Sequence, residues 1–264
     1  MSPPTDRVRV TFEGDLALVT LTRPDKHNGM DFAMLDAVVA AQGQVRRRRE
    51  FRAVLLRGDG PSFCAGLDFK AVSDNPWGAA RRLPQLLKPW RNTFQQWSLG
   101  WRDLGVPVLA CVHGNCFGAG LQLALGPDLR FCTPAAQISV MEAKWGLVPD
   151  MGGAVIMREL VRADVAKELT MTGRILTGEQ AGALGLVTHV VDDPETAARA
   201  LAAELATRSP DSVAASKLLI QDAYAQGAEA VAAAAAELAA GADRRVELPH
   251  LAPAQPGPGR AIHP

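Results

Sequence analysis

The sequence predicts an α/β fold, a repeated β/α core that passes into a helical C-terminal region. Three observations predict it. Apolar, β-rich stretches at residues 16–22, 53–57, 106–112 and 129–132 alternate with segments of helical periodicity. Beyond residue 150 the strand signals fade, apart from residues 185–191, and helical blocks take over. Two glycine-containing turns, Phe63-Cys64-Ala65-Gly66-Leu67-Asp68 and His113-Gly114-Asn115-Cys116-Phe117-Gly118-Ala119-Gly120, each follow a strand pattern and lead into a helical one. Such turns can aim backbone N–H groups at one point, and two convergent donors make an oxyanion hole.

Taken in order, the strand at 16–22 is followed by an amphipathic helix from about 31 to 50, marked by Phe32, Leu35, Val38, Val39 and Val45. Its run Arg46-Arg47-Arg48-Arg49 sits where the helix dipole favours cations and reads as a solvated helix end. Residues 77–104 read as a long helical region interrupted near Pro84 and Pro89, with Trp90, Phe94, Trp97 and Trp101 in an aromatic stripe suited to core or subunit contact. The strand at 106–112, a short helix, the strand at 129–132 and a short fifth strand at 137–140 come next. Helical blocks cover about 152–172, 194–208, 210–225 and 227–241, and Ala232–Ala236 is strong helix former. The segment 248–264 carries five prolines and reads as a loosely draped tail. The expected organisation is a core over 1–192, a helical trimerisation region over 193–247 and the Pro-rich tail.

Composition excludes several classes. Lys plus Arg equals Asp plus Glu at 28 each, so a broad basic face for nucleic acid is not expected. No apolar run reaches the ~18–20 residues of a membrane helix, and residues 1–6 show no signal region, so a cytoplasmic protein is expected. Cys64, Cys111, Cys116 and Cys132 lack CxxC spacing and a histidine cluster, which suits small buried thiols in a reducing compartment better than a metal site. Gly118-x-Gly120 begins like a dinucleotide fingerprint, but Leu123 occupies the third glycine position. A Gly-Lys-Ser/Thr phosphate loop and a Gly-x-Ser-x-Gly nucleophile elbow are both missing.

Several blocks match together in one order. Arg23-Pro24-Asp25-Lys26-His27-Asn28, the two turns, residues 146–153, Thr172-Gly173-Arg174-Ile175-Leu176-Thr177 and residues 181–187 resemble the signature blocks of the crotonase (enoyl-CoA hydratase/isomerase) superfamily. The resemblance covers about residues 8–225. It implies a crotonase-type spiral of ββα units, assembly into trimers or hexamers, and an acyl-CoA substrate, with coenzyme A as part of that substrate and no separate cofactor. By position, the thioester oxygen would lie between the N–H groups of Leu67 and Ala119, with Gly118 and Gly120 permitting close approach. Lys26, Ala65, Gly66, Asp68, Phe69, Lys70 and Gly118 match positions that contact CoA.

The acids decide the reaction. Hydratases of the superfamily place two glutamates around the reacting water. Here the first position is Gln122, which can orient by hydrogen bonding but cannot move a proton near neutral pH. The second, Glu142, is retained. Asp150 stands where dienoyl-CoA isomerases of the superfamily carry an aspartate, so the nearest resemblance is to that branch, although those isomerases have an aspartate at the Gln122 position. Asp150 could otherwise cap a helix opening at Met151, and Gln122 could be a satisfied polar core residue. The expectation is double-bond isomerisation with Glu142 and Asp150 as the proton-transfer pair. The rivals are trans-2-enoyl-CoA hydration by Glu142 and, in another class, a catalytically silent CoA- or RNA-binding scaffold. The residues around 77–101 would line the acyl-tail pocket.

Overall fold

The computed structural model describes residues 7–48, 50–86 and 91–225. The helix expected over 227–241, the tail, Pro89, Trp90 and Arg49 lie outside the described residues.

The chain opens with a hairpin. Strand β1 (Val8–Glu13) pairs antiparallel with β2 (Leu16–Leu21), turning at Gly14, whose φ is +56°. The β1 sequence alternates Val8, Val10 and Phe12 with Arg9, Thr11 and Glu13, the pattern of an edge strand with one face on the core. Helix α1 (Phe32–Arg46) is N-capped by Asp31, whose carboxylate accepts the Met34 N–H at 2.7 Å. It ends at Arg46, four residues short of the expected limit, and its cationic end is engaged: Arg46 pairs with Asp103, and Arg48 with Glu50 and the Phe12 ring.

Strand β3 (Ala53–Gly58) lies parallel to β2. Three helices follow: α2 (Phe69–Ser73), α3 (Pro76–Leu86) and α4 (Thr93–Leu99). Pro84 lies inside α3 instead of interrupting it. Strand β4 (Val108–Val112) joins β3 in parallel, and β5 (Asn115–Phe117) leads into α5 (Ala119–Leu125). Strand β6 (Leu129–Cys132) joins β4, and β7 (Gln137–Ser139) joins β5, both in parallel. After them come α6 (Gly153–Leu160), α7 (Ala163–Thr172), β8 (Leu176–Thr177), α8 (Gly178–Ala183), β9 (His189–Val190), α9 (Pro194–Ala206) and α10 (Pro210–Ala225).

Two sheets result: one of six strands in the order β1-β2-β3-β4-β6-β9, and one of three in the order β5-β7-β8. Strands β2, β3, β4 and β6 of the larger sheet are each followed by a bridged residue (Met30, Cys64) or a short strand (β5, β7) and then by a helix or a 3-10 turn. This is the spiral of ββα units that the resemblance implies. Period-two alternation splits the larger sheet between two layers. Val54, Leu56, Val108, Ala110 and Val112 face the main core, while Ala53, Leu55, Leu109 and Cys111 face Ala198 and Ala202 of α9. Strands buried on both faces read as continuous apolar runs, which is why these were visible in the sequence.

Candidate active site

The register of the small sheet builds the site. Cys64 forms a parallel bridge with Cys116, and Cys116 pairs with Ile138. Three residues beyond each of these (64 to 67, 116 to 119, 138 to 141) stand Leu67, Ala119 and Met141. The next residue after Met141, Glu142, opens a short 3-10 turn ending at Trp145. Equivalent junctions in three successive turns of the spiral thus supply two backbone N–H groups and one carboxylate.

Leu67 is held on both sides and left open between them. Met30 donates its N–H to the Gly66 carbonyl at 2.7 Å and accepts from Asp68 N–H at 2.9 Å. In the second turn Phe117 donates to the Cys64 carbonyl at 3.1 Å and Gly118 to the Ser139 carbonyl at 2.9 Å. Ala119, as the first residue of α5, precedes any intrahelical donation. Neither the Leu67 nor the Ala119 N–H has an acceptor among the described residues. The turns touch: a Cβ on Gly66 would meet the Phe117 carbonyl oxygen at 2.6 Å and lie 3.7 Å from the Ala119 nitrogen. Gly66 has a φ of +92°, so glycine is required there twice over. Beneath the second turn, the fully buried Trp97 donates its indole N–H to the Ala119 carbonyl at 2.8 Å.

Glu142 sits beside the second turn, and Asp150 is near enough to act on its carboxyl. Glu142 is 8% exposed, and its Oε1 accepts from Gln122 Nε2 at 2.6 Å. Its Oε2 is buried without a hydrogen-bond partner among the described residues. Burial raises the Glu142 carboxyl above its ordinary range; its own backbone N–H and Gln122 oppose the shift, and Asp150 adds to it. Asp150 lies on the exposed rim, and partial desolvation raises its carboxyl as well. It does not cap a helix. Helix α6 begins at Gly153 after Gly152, and the N–H groups of Met151 and Gly153 go to Gln122 Oε1 at 3.0 and 2.9 Å. Gln122, 3% exposed, is therefore a satisfied buried amide that also touches Glu142.

The other expected contacts divide. Asp68 N-caps α2 through the Ala71 N–H at 3.0 Å and pairs with Arg23 at 2.8 Å. Desolvation pushes its carboxyl up, but the Ala71 N–H, Arg23 and Lys26 outweigh that and leave it below the ordinary range. Ala65 donates its N–H to the His27 carbonyl at 2.9 Å, which ties the first turn to the loop carrying Lys26. Lys26 and Lys70 are exposed. Phe69 packs its ring against Trp145, with centroids 4.6 Å apart, so the residue opening α2 meets the turn that starts at Glu142. Gly118 takes a φ of +50° beside Glu142.

Trp97 and Trp101 are fully buried and belong to the core, so they do not line an acyl pocket; Trp77 is 80% exposed. The four cysteines are buried thiols, and burial pushes Cys64, Cys111 and Cys132 up to about 12. A cavity of about 470 Å³ lined by Asp15, Arg52 and Pro107 lies at the amino ends of β2, β3 and β4. The two turns and the acids lie at the carboxyl ends, where ligands of parallel sheets bind. Two contributors escaped the sequence reading. Met30 frames Leu67 and Trp97 backs Ala119, and neither has a motif signal beyond apolar periodicity.

The enoyl-CoA hydratase/isomerase family matches this chain over residues 11–243. Enoyl-CoA hydratase EchA19 of Mycobacterium tuberculosis is 32% identical over 196 residues, 71% of this chain and 69% of that protein. Carnitinyl-CoA dehydratase of Salmonella typhi is 33% identical over 216 residues, 81% of this chain and 79% of that protein. A Thermobifida fusca YX protein solved in complex with acetoacetyl-CoA superposes with a TM-score of 0.78 at 26% identity, covering 90% of this chain and 94% of its own.

Proposed function

The chain belongs to the enoyl-CoA hydratase/isomerase family, the crotonase superfamily, and from that premise we propose that it shifts a carbon–carbon double bond in an unsaturated acyl-CoA through a thioester enolate. The N–H groups of Leu67 and Ala119 hold the thioester oxygen as it gains charge, each donor worth ~10²–10³ in rate. The Glu142 carboxylate takes a proton from C2 of a 3-enoyl or 3,5-dienoyl thioester. The electron pair moves along the chain, and Asp150 supplies a proton at the distal carbon from the solvent side. The proton held by Glu142 then returns to solvent, and Asp150 takes one up from solvent, which restores both groups. Atoms and charge balance without a second substrate.

One observation carries the reading. The buried position beside Glu142 is filled by an amide whose oxygen already accepts two backbone N–H groups. An amide so committed cannot activate a water for addition to a double bond. The acids that remain suit removal and return of a proton.

Hydration, or its reverse, is the second reading, favoured by the hydratase and dehydratase relatives. In it Glu142 steers the water alone. Assays on a 2-enoyl-CoA and on 3-enoyl- and 3,5-dienoyl-CoA separate the two readings. Isomerisation with little water addition is expected, and rapid hydration without isomerisation would overturn the proposal. The family premise also supports CoA contacts along residues 65–70 with Lys26, and a homotrimer or hexamer, which a mass measurement in solution tests.

A further inference from the structure

We propose that Gln122 is a positioning residue that holds Glu142 and the Asp150 loop in fixed relation, and that it sets which reaction the site performs. The inference rests on the reading of Glu142 and Asp150 as the proton-transfer pair. The orientation of the amide follows from its partners. Its oxygen receives the N–H groups of Met151 at 3.0 Å and Gly153 at 2.9 Å, so its nitrogen faces Glu142 Oε1, 2.6 Å away. Met151 directly follows Asp150. One side chain therefore fixes a carboxylate through its donor and the backbone next to the other acid through its acceptor.

The fit leaves no slack. Gln122 is 3% exposed, and a Cβ on Gly153 would stand 2.7 Å from Gln122 Cγ. Oε1 of Glu142 is committed to Gln122, which leaves the buried Oε2, without a hydrogen-bond partner among the described residues, as the oxygen free to take a proton. The turn that Glu142 opens carries the exposed Lys144, the adjacent α7 carries the exposed Lys167 and Glu168, and of the charged groups Asp150 on the loop acts on the Glu142 carboxyl. Among the described residues no cation is ion-paired with Glu142, the neighbour that a second negative charge at position 122 would meet.

A carboxylate of the same shape could still accept from Met151 and Gly153. Its other oxygen would face Glu142 Oε1 at hydrogen-bond distance with no proton between them. Two carboxyl groups so placed must share a proton and titrate as a pair. That pair restores an acid able to handle water, which the amide excludes.

The test compares Gln122→Glu, Gln122→Met and the native enzyme. With Gln122→Met, kcat for isomerisation should fall by ~10²-fold, the usual cost of a misplaced group, while KM changes little. Gln122→Glu should retain the fold, add an ionisation to the kcat pH profile and raise hydration relative to isomerisation. Hydrogen exchange at the Met151 and Gly153 amides gives a readout independent of turnover, and protection should be lost in Gln122→Met and retained in Gln122→Glu. Undiminished protection and kcat in Gln122→Met, or a Gln122→Glu profile identical to the native one, would overturn the inference. Full isomerisation by Glu142→Gln would instead sink the function reading, leaving the exchange result to judge the clamp.

Discussion

The carboxylate of Glu142 faces the α-carbon of Gly118: a Cβ placed on Gly118 would stand 3.6 Å from Oε1 and 3.8 Å from Oε2. The acid and the second turn are thus in direct contact, one residue before the N–H of Ala119. That contact puts a proton acceptor beside the place where the thioester oxygen would be held.

Gly118→Ala tests the turn. Gly118 has a φ of +50° and a ψ of −118°, a region that L side chains rarely enter. The substitution should cost ~1–3 kcal/mol of stability. If the turn swings to relieve the strain, the Ala119 donor moves and kcat should drop by up to ~10²–10³. Thermal unfolding and steady-state kinetics measure the two effects, and native values for both would show that the turn is tolerant.

Glu142→Gln should abolish most turnover, by ~10²–10⁴ for loss of a positioned general base. Its effect on stability has the opposite sign. The folded-state carboxyl of Glu142 is raised, so folding binds the proton more tightly than the unfolded chain does, and the ionised form is penalised in the native state. The penalty is absent below the ordinary glutamate range and complete above the raised value. Thermal melts should therefore show the variant gaining on the native enzyme as pH rises, with the difference closing in acid. A constant difference at every pH would contradict the burial argument.

The sequence and the structure agree where one residue decides a local conformation. Strands β3, β4 and β6 were legible because burial on both faces demands unbroken apolar runs, and Asp31 stands at the start of α1 as a capping residue should. Strand β1 carried a readable alternation, but its Arg9 and Glu13 made it an edge and lowered its apolar signal. Strands β5 and β8, three and two residues long, are held by partners 22 and more positions away, as Cys116 is by Ile138, and no local pattern specifies them. The site divides in the same way. The two turns announce themselves through glycine, whereas the bonds from Gln122 to Glu142, Met151 and Gly153 span 20 to 31 residues and exist only once three turns of the spiral are stacked.

Asp150→Asn should shift the pH profile. The negative charge of Asp150 helps hold the Glu142 carboxyl up, so removing it lets Glu142 ionise at lower pH. The acid limb of kcat/KM should move towards lower pH while isomerisation at the distal carbon weakens. An unmoved limb would mean that the two carboxyl groups do not communicate.

Arg23 ties two helix caps together. It is 8% exposed, pairs with Asp68 at 2.8 Å, approaches Asp31 at 3.7 Å and donates to the Gly29 carbonyl at 3.0 Å. Arg23→Met leaves both aspartates without this cation and should cost ~3–5 kcal/mol, the range for breaking a buried pair from one side. Asp68 has a depressed carboxyl, so its contribution is present above the ordinary aspartate range and is lost as pH falls through the depressed value. The gap between native and variant stability, followed by denaturant unfolding, should narrow in acid. A gap independent of pH would assign the loss to packing alone.

Trp97 supports the second donor from below. Its indole N–H reaches the Ala119 carbonyl at 2.8 Å inside a fully buried layer, between α4, which carries it, and the start of α5. Trp97→Phe keeps an aromatic ring but removes the indole donor to the Ala119 carbonyl, at ~0.5–1.5 kcal/mol for a lost hydrogen bond. The same loss frees the first residue of α5 to tilt, and the adjacent N–H must stay aimed for catalysis. The expected signature is a fall in kcat larger than any rise in KM, because the donor matters most when the thioester oxygen carries charge. Equal changes in both would place the effect on substrate binding, and a loss of stability with unchanged kcat would make Trp97 a core residue with no bearing on the turn.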